Sequence, residues 1–338
     1  MPGRLPAETV IGVIGAGAMG AGIAQVAAQA GHRVRLTDAH AGAVERAQAG
    51  IVKDLGHRVV KGRMTAAQAE SVAARLEASP LANFGDCGLV IEAIVEDLDT
   101  KRHLFRTLEE ILASDAIIAS NTSSLSITAM AAGLQRPERV IGMHFFNPAT
   151  RMKLVEVISG LETDAAVAET VFATAEAWGK KPAYAKSTPG FIVNRIARPF
   201  YGEAWRSYIE GAADPATIDA IVRDCGGFPM GPFELMDLIG HDVNLAVSTA
   251  VFEATFGERR YAPSPAQQEL VRAGPISSQP EDTSCAERGP CTRTTSTPAD
   301  SSRVMIGVAM PSEPTATTRC TGSAPASTRG CGLDAPSR

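Results

Sequence analysis

Residues 9–25 read TVIGVIGAGAMGAGIAQ, and this stretch decides the fold. An apolar run suited to a buried strand leads directly into Gly15, Gly17 and Gly20 in G-x-G-x-x-G spacing, and a helix-forming segment then closes at Gly31. The spacing alone is weak; a strand before it and a helix after it give it meaning. Gly15 permits a tight turn, Gly17 lets the backbone approach a diphosphate, and Gly20 lets helix pack on strand. The diphosphate then lies at a helix N-terminus, where free N–H groups and the helix dipole favour an anion. The second strand, HRVRLTD, ends in Asp38, 18 residues beyond Gly20. A carboxylate there accepts hydrogen bonds from an adenosine ribose and repels a 2′-phosphate, so NAD is expected rather than NADP.

Outward from this stretch, helix and strand patterns alternate. Residues 41–78 read as helix, LVIEAI as a strand buried on both faces, and VEDLDTKRHLFRTLEEILA as a helix with Leu104, Phe105, Leu108 and Ile111 at helical spacing. Glu96 and Lys101 fall at this strand-to-helix junction, the edge at which doubly wound sheets bind ligands. The strand AIIAS runs into the polar turn NTSSLS, which reads either as a helix cap or as a set of hydroxyls facing a ligand, Ser123 among them. A helix over residues 164–178 and a strand KPAYAK complete the pattern. The fold class is therefore α/β, a Rossmann-type doubly wound sheet over residues 1–187.

Pro189 and Gly190 break the chain, and the strand pattern disappears beyond them. Residues 188–274 read as a smaller all-helical domain, with Pro215 and Pro232 at helix starts and Pro199 expected to kink or split the first helix. Asn194 sits near the start of that helix as a polar residue in an apolar run; it reads as a cap, or as a cleft residue if the cleft lies there.

Residues 139–158, RVIGMHFFNPATRMKLVEVI, hold two apolar β-type runs around a short polar turn. Each run carries one ionisable residue, His144 and Glu156, into apolar surroundings. On neighbouring strands the carboxylate would fix the imidazole tautomer and stabilise the imidazolium, as a general base requires. A satisfied core histidine is the alternative.

The 338 residues allow two domains with ample core, and a net charge of -5 gives no electrostatic case for nucleic acid or an anionic membrane. No apolar run reaches 18 residues and MPGRLPAET lacks a signal-peptide core, so a cytoplasmic location is expected. Cys87 and Cys225 lie far apart, and Cys285, Cys291, Cys320 and Cys331 lie in a segment without histidine, so neither a disulfide framework nor a metal site is expected.

Taken together, VIGAGAMGAGIAQ, VIEAIVED, SNTSSLSIT, HFFNPATRMKLVEVI and TPGFIVNRI resemble the 3-hydroxyacyl-CoA dehydrogenases in order and spacing, over about residues 8–274. The resemblance implies NAD-dependent oxidation of an (S)-3-hydroxyacyl-CoA, with His144 as general base and Glu156 as its partner. It implies that Ser123 and Asn194 contact the substrate's 3-oxygen, that Asp38, Glu96 and Lys101 contact the cofactor, and that Lys61 meets the CoA phosphates. It also implies a homodimer if the C-terminal domain is intact. GPFELMDLIGHDVN looks most like the branch that includes the 3-hydroxyadipyl-CoA enzyme of phenylacetate catabolism, with 3-hydroxybutyryl-CoA as the alternative substrate.

The resemblance stops at Gly274. The last 64 residues hold no lysine and no aromatic residue, and their Ser, Thr, Pro and Arg content predicts disorder. The abrupt switch is read as an out-of-frame translation, with a genuine extension as the alternative. Two rival functions follow: a non-catalytic NAD-binding protein or inactive fragment, and a β-hydroxyacid dehydrogenase acting on a small free acid. The second resembles the glycine loop but uses a lysine where this chain has Asn194.

Overall fold

The computed structural model describes residues 3–274, so the expectations for residues 275–338 lie outside the described residues. The elements run β1 (Val10–Ile14), α1 (Ala18–Gln29), β2 (Val34–Thr37), α2 (Ala43–Val60), α3 (Ala66–Ala73), β3 (Leu76–Ala78), β4 (Cys87–Glu92), α4 (Leu98–Ile111), β5 (Ile117–Ser120) and α5 (Ile127–Ala131). They continue with β6 (Val140–Phe145), β7 (Leu154–Ser159), α6 (Ala165–Ala177), β8 (Lys181–Lys186), α7 (Val193–Ile209), α8 (Pro215–Asp224), α9 (Pro232–Ile239), α10 (His241–Ala254) and α11 (Pro265–Ala273).

One eight-stranded sheet has the order β3-β2-β1-β4-β5-β6-β7-β8. The first six strands are parallel, β7 turns antiparallel to β6, and β8 runs parallel to β7. The chain leaves β1 on one side for β2 and returns on the other for β4, so the glycine loop lies at the point where strand order reverses. Strand side chains alternate between the faces. Ile11 and Val13 of β1 pack with Ile23 of α1, Ile51 and Leu55 of α2 and Val171 of α6, whereas Val10 and Ile14 pack with Phe105 and Leu108 of α4 and Met130 of α5. Both faces of the central strands are covered, as their unbroken apolar sequences require.

Two expectations are corrected. Residues 41–78 are not all helix, because Leu76–Ala78 forms the edge strand β3 against β2. Three residues, of which only Leu76 is buried, carry too little periodicity to be legible. Helix α7 is also not split at Pro199 but runs through it. The proline forgoes one helical hydrogen bond there, and buried Arg198, Tyr201, Ala204 and Trp205 hold the helix against its neighbours.

In the helical part, Asp214 caps α8 by accepting from Thr217 N at 2.9 Å, and Pro215 follows in the first turn. Gly240, at φ 99°, separates α9 from α10. Asp219 of α8 accepts from the N–H groups of Phe233 and Glu234 at 2.8 and 3.0 Å, satisfying two first-turn donors of α9. Trp205 is enclosed and meets Phe233 edge-to-face at 5.1 Å. Among the described residues, no helix is long and apolar enough to cross a membrane.

Candidate active site

The antiparallel register of β6 and β7 sets His144 directly opposite Glu156. His144 Nδ1 lies 2.7 Å from Glu156 Oε2, and both side chains are buried. The other carboxylate oxygen, Oε1, accepts from the N–H groups of Ile192 and Val193, each at 2.9 Å. Glu156 thus joins the imidazole to the first turn of α7. Phe146 and Phe191 flank the imidazole, with ring centroids 4.5 and 6.0 Å away. Among the described residues Nδ1 makes the ring's only hydrogen bond, which leaves Nε2 without a partner among them.

Asn194 follows the two N–H groups that bind Glu156, and its Nδ2 donates to Ser123 O at 3.2 Å. The turn after β5 therefore touches the same constellation. His144, Glu156, Ser123 and Asn194 are brought together, although they lie on four separate segments, β6, β7, the turn after β5 and α7. Asn121 Oδ1 ties this turn to the end of β6 by accepting from Phe145 N at 2.8 Å. The helix-cap reading of NTSSLS holds at its last residue, since Ser126 caps α5 by accepting from Ala129 N at 3.1 Å, whereas Asn121 to Ser124 are not the cap.

Glu96 organises the turn from below. Its Oε1 accepts from Thr122 Oγ1 at 2.5 Å, from the N–H groups of Ser123 and Ser124 at 3.0 and 3.2 Å, and from the Ser124 hydroxyl at 3.1 Å. Burial pushes this carboxyl up, but Lys101 and the hydrogen bonds from Thr122 and Ser123 outweigh it and hold Glu96 below the usual carboxylate range. Lys101, expected at the cofactor, is fully buried. Its ammonium pairs with Glu92 and lies 3.3 Å from Glu96 Oε2. An ammonium on the inner face of α4 needs a counter-ion, and Glu92 supplies it from the end of β4.

Glu92 and Ser120 also adjoin this cluster, although both lie in strands that read as structural. Glu92 is buried, accepts from Ser120 Oγ at 2.7 Å, and thereby braces the strand end before the Asn121–Ser124 turn. A glutamate within the apolar run LVIEAI was the available signal. The N–H groups of Ile192 and Val193 had none, because backbone donors are anonymous in sequence.

At the glycine loop, Gly15 takes φ 99°, and an added Cβ would overlap the Ala93 carbonyl; one on Gly20 would overlap the Gly15 carbonyl. A Cβ on Gly17 would meet nothing within 4 Å, so the loop's outer face is open at the N-terminus of α1. This is the cradle a diphosphate needs. Asp38 Oδ2 accepts from Ala16 N at 2.7 Å and Oδ1 from His40 N at 2.8 Å, placing the carboxylate beside the loop. These residues fit a dinucleotide.

Lys61 stands apart from the His144 constellation. It ends α2 and lines a cleft of about 520 Å³ with His57, Arg58, Arg63 and Arg151. Asp54 and Thr150 line both this basic cleft and a neighbouring one of about 420 Å³ that reaches Gly17 and Ala18. Lys180, not anticipated, holds the loop between β6 and β7 by donating to the Ala149 and Met152 carbonyls.

Comparison with known proteins gives the family. The family model for the 3-hydroxyacyl-CoA dehydrogenase NAD binding domain matches residues 10–188, and that for the family's C-terminal domain matches residues 190–283. The chain belongs to the 3-hydroxyacyl-CoA dehydrogenase family. It carries that family's NAD-binding domain, so NAD is its cofactor. The chain is 52% identical over 265 residues to a 3-hydroxyadipyl-CoA dehydrogenase of Escherichia coli (strain K12), a match covering 78% of this chain and 56% of that protein. It is 42% identical over 267 residues to a 3-hydroxybutyryl-CoA dehydrogenase of Clostridioides difficile, covering 79% and 95%. A 3-hydroxybutyryl-CoA dehydrogenase structure from Escherichia coli K12 superposes with a TM-score of 0.78 at 52% identity, over 80% of this chain and 57% of that one. An (S)-3-hydroxybutyryl-CoA dehydrogenase from Ralstonia eutropha gives 0.76 at 39% identity, over 79% and 94%. Family membership thus rests on both parts of the chain, while the match spans little more than half the length of the Escherichia coli proteins.

Proposed function

We propose that this chain oxidises (S)-3-hydroxyacyl-CoA to 3-oxoacyl-CoA, with His144 as the general base. The buried His144–Glu156 pair carries the proposal, because it leaves one imidazole nitrogen open beside Ser123 and Asn194. His144 Nε2 takes the hydroxyl proton as the C3–H bond breaks. NAD, when bound, supplies the hydride acceptor. Glu156 offsets the charge gained by the imidazole. Ser123 and Asn194 orient the substrate oxygen, while Phe146 and Phe191 exclude water from the imidazole. Glu96 and Lys101 hold the Ser123 turn at the cofactor edge, and Asp38 receives the adenosine ribose. Lys61 and its arginine neighbours take the CoA phosphates.

The same reading extends to a two-domain organisation divided at residues 187 and 188, a homodimer, a cytoplasmic location, and a role in fatty-acid or phenylacetate-type catabolism. The test is the reverse reaction, following NADH absorbance with acetoacetyl-CoA, with His144→Gln prepared in parallel. Loss of a general base lowers kcat by about 10²–10⁴-fold. Equal rates in the two proteins would remove His144 from its role. Thermal stabilisation by NAD without turnover would favour a non-catalytic NAD-binding protein, and turnover of a free hydroxy acid instead would favour the β-hydroxyacid alternative.

A further inference from the structure

Arg198 is a buried cation that the mechanism above does not use. It lies on α7 one helical turn beyond Asn194, is 5% exposed, and has no carboxylate partner among the described residues. Its Nε donates to the Asn194 carbonyl at 3.1 Å, and Nη1 donates to the Asn244 carbonyl and Ser248 Oγ, both at 3.0 Å. The guanidinium lies over the Tyr201 ring, 4.9 Å from its centroid. Burial pushes Arg198 down to about 10, opposed only by the Tyr201 hydroxyl, so the group is charged at neutral pH. A buried charge with neutral hydrogen-bond partners alone is costly and calls for an anion.

The remaining nitrogen, Nη2, makes no hydrogen bond among the described residues, yet it is not one of the fully enclosed unpaired atoms. Asn244, whose carbonyl holds Arg198, has an enclosed Nδ2 without a partner. Among the described residues, two donors on facing helices thus lack acceptors.

The reacting carbon must sit before His144 Nε2, beside Asn194. In a six-carbon dicarboxylic acyl chain the distal carboxyl carbon lies three bonds beyond C3. Three bonds span about 3.8 Å when extended, as between consecutive Cα atoms. A charge-assisted hydrogen bond adds about 2.8 Å. The sum covers the rise of about 6 Å, at about 1.5 Å per residue, over the four residues from Asn194 to Arg198.

Resting on the dehydrogenase reading, we propose that Arg198 determines acyl specificity by receiving the distal carboxylate of a dicarboxylic 3-hydroxyacyl-CoA. A methyl group in the same position leaves the guanidinium desolvated and unpaired, so the discrimination comes from the rejected substrate as much as from the accepted one.

The test compares kcat/KM of the full chain for 3-oxoadipyl-CoA and 3-oxohexanoyl-CoA, which differ only in a carboxylate against a methyl, with acetoacetyl-CoA as reference. The wild type is expected to favour the dicarboxylic substrate at least tenfold. Arg198→Met brings that ratio to one or below, and Arg198→Lys, which keeps charge but loses the planar fork, falls between. A wild-type ratio near one, or an unchanged ratio in Arg198→Met, would overturn the assignment. The wild-type ratio decides even where a variant fails to fold. Turnover of none of the three substrates sinks the dehydrogenase reading itself, whereas turnover without carboxylate preference sinks only the role of Arg198.

Discussion

Glu156 uses its two oxygens for different purposes, one on the imidazole and one on a pair of backbone N–H groups. An amide has a single acceptor. In Glu156→Gln that oxygen can satisfy Ile192 and Val193, but the NH2 group then faces His144 Nδ1 and forces the proton onto Nε2. That is the wrong tautomer for accepting a substrate proton. The comparable loss in a Ser-His-Asp triad is about 10⁴-fold. For Glu156→Gln we expect kcat to fall by about 10³–10⁴-fold with a smaller change in KM, and steady-state kinetics alongside His144→Gln tests this. A fall that appears only in KM would place Glu156 in binding instead. Phe191 belongs to the same arrangement. It is a non-glycine residue at φ 45°, and such a backbone costs about 1–3 kcal/mol. Its buried ring, set beside the imidazole and joined to the apolar cluster under α4, offsets that cost.

The β1-to-α1 turn was legible because its determinants are local: the glycines, the preceding apolar strand, and a carboxylate at a fixed distance in sequence. Desolvation works against ionisation of Asp38, but the N–H groups of Ala16 and His40 and the His40 side chain outweigh it, so its carboxyl is held below the usual range. The stability this contributes is fully present above the unfolded value of about 3.9 and is lost as pH falls through the lower folded value. The melting-temperature advantage of wild type over Asp38→Asn is therefore expected to be constant near neutral pH and to vanish in that acid window. An advantage that grows as pH falls would contradict the sign. Other parts of the site were not legible for physical reasons. Lys101 read as a junction residue facing a ligand, because sequence spacing shows which helix carries it but not that Glu92 waits beneath. The three-residue β3 and the unbroken passage of α7 through Pro199 are both tertiary outcomes, in which neighbours override a local signal. His144 and Glu156 were legible as a pair only on the supposition that their strands are adjacent, and the register makes them direct opposites.

At the scale of the whole molecule, the residues proposed for cofactor binding and those proposed for chemistry sit on different supports. The glycine loop and Asp38 belong to the β1–β2 side of the sheet, whereas His144 and Glu156 belong to β6 and β7 beside the start of α7. Substitution at one support should leave the other's free energy in place, since distant sites without shared partners contribute additively. Ligand at a hundredfold excess over Kd adds about 2.7 kcal/mol to folding stability. For a chain of this size that corresponds to a rise in Tm of roughly 5 °C, at about 2 °C per kcal/mol. NAD is expected to give this rise in the wild type and equally in His144→Gln, which keeps the loop while losing the base. NADP should give far less, because Asp38 repels a 2′-phosphate. Gly17→Val should abolish the shift without lowering the melting temperature of the unliganded protein much, since its Cβ enters open space in the protein and occupied space only when a diphosphate is present. Differential scanning fluorimetry of the three proteins with each nucleotide separates these cases. Loss of the NAD shift in His144→Gln would show that the two supports are coupled, and the glycine loop could no longer be treated as an independent binding element.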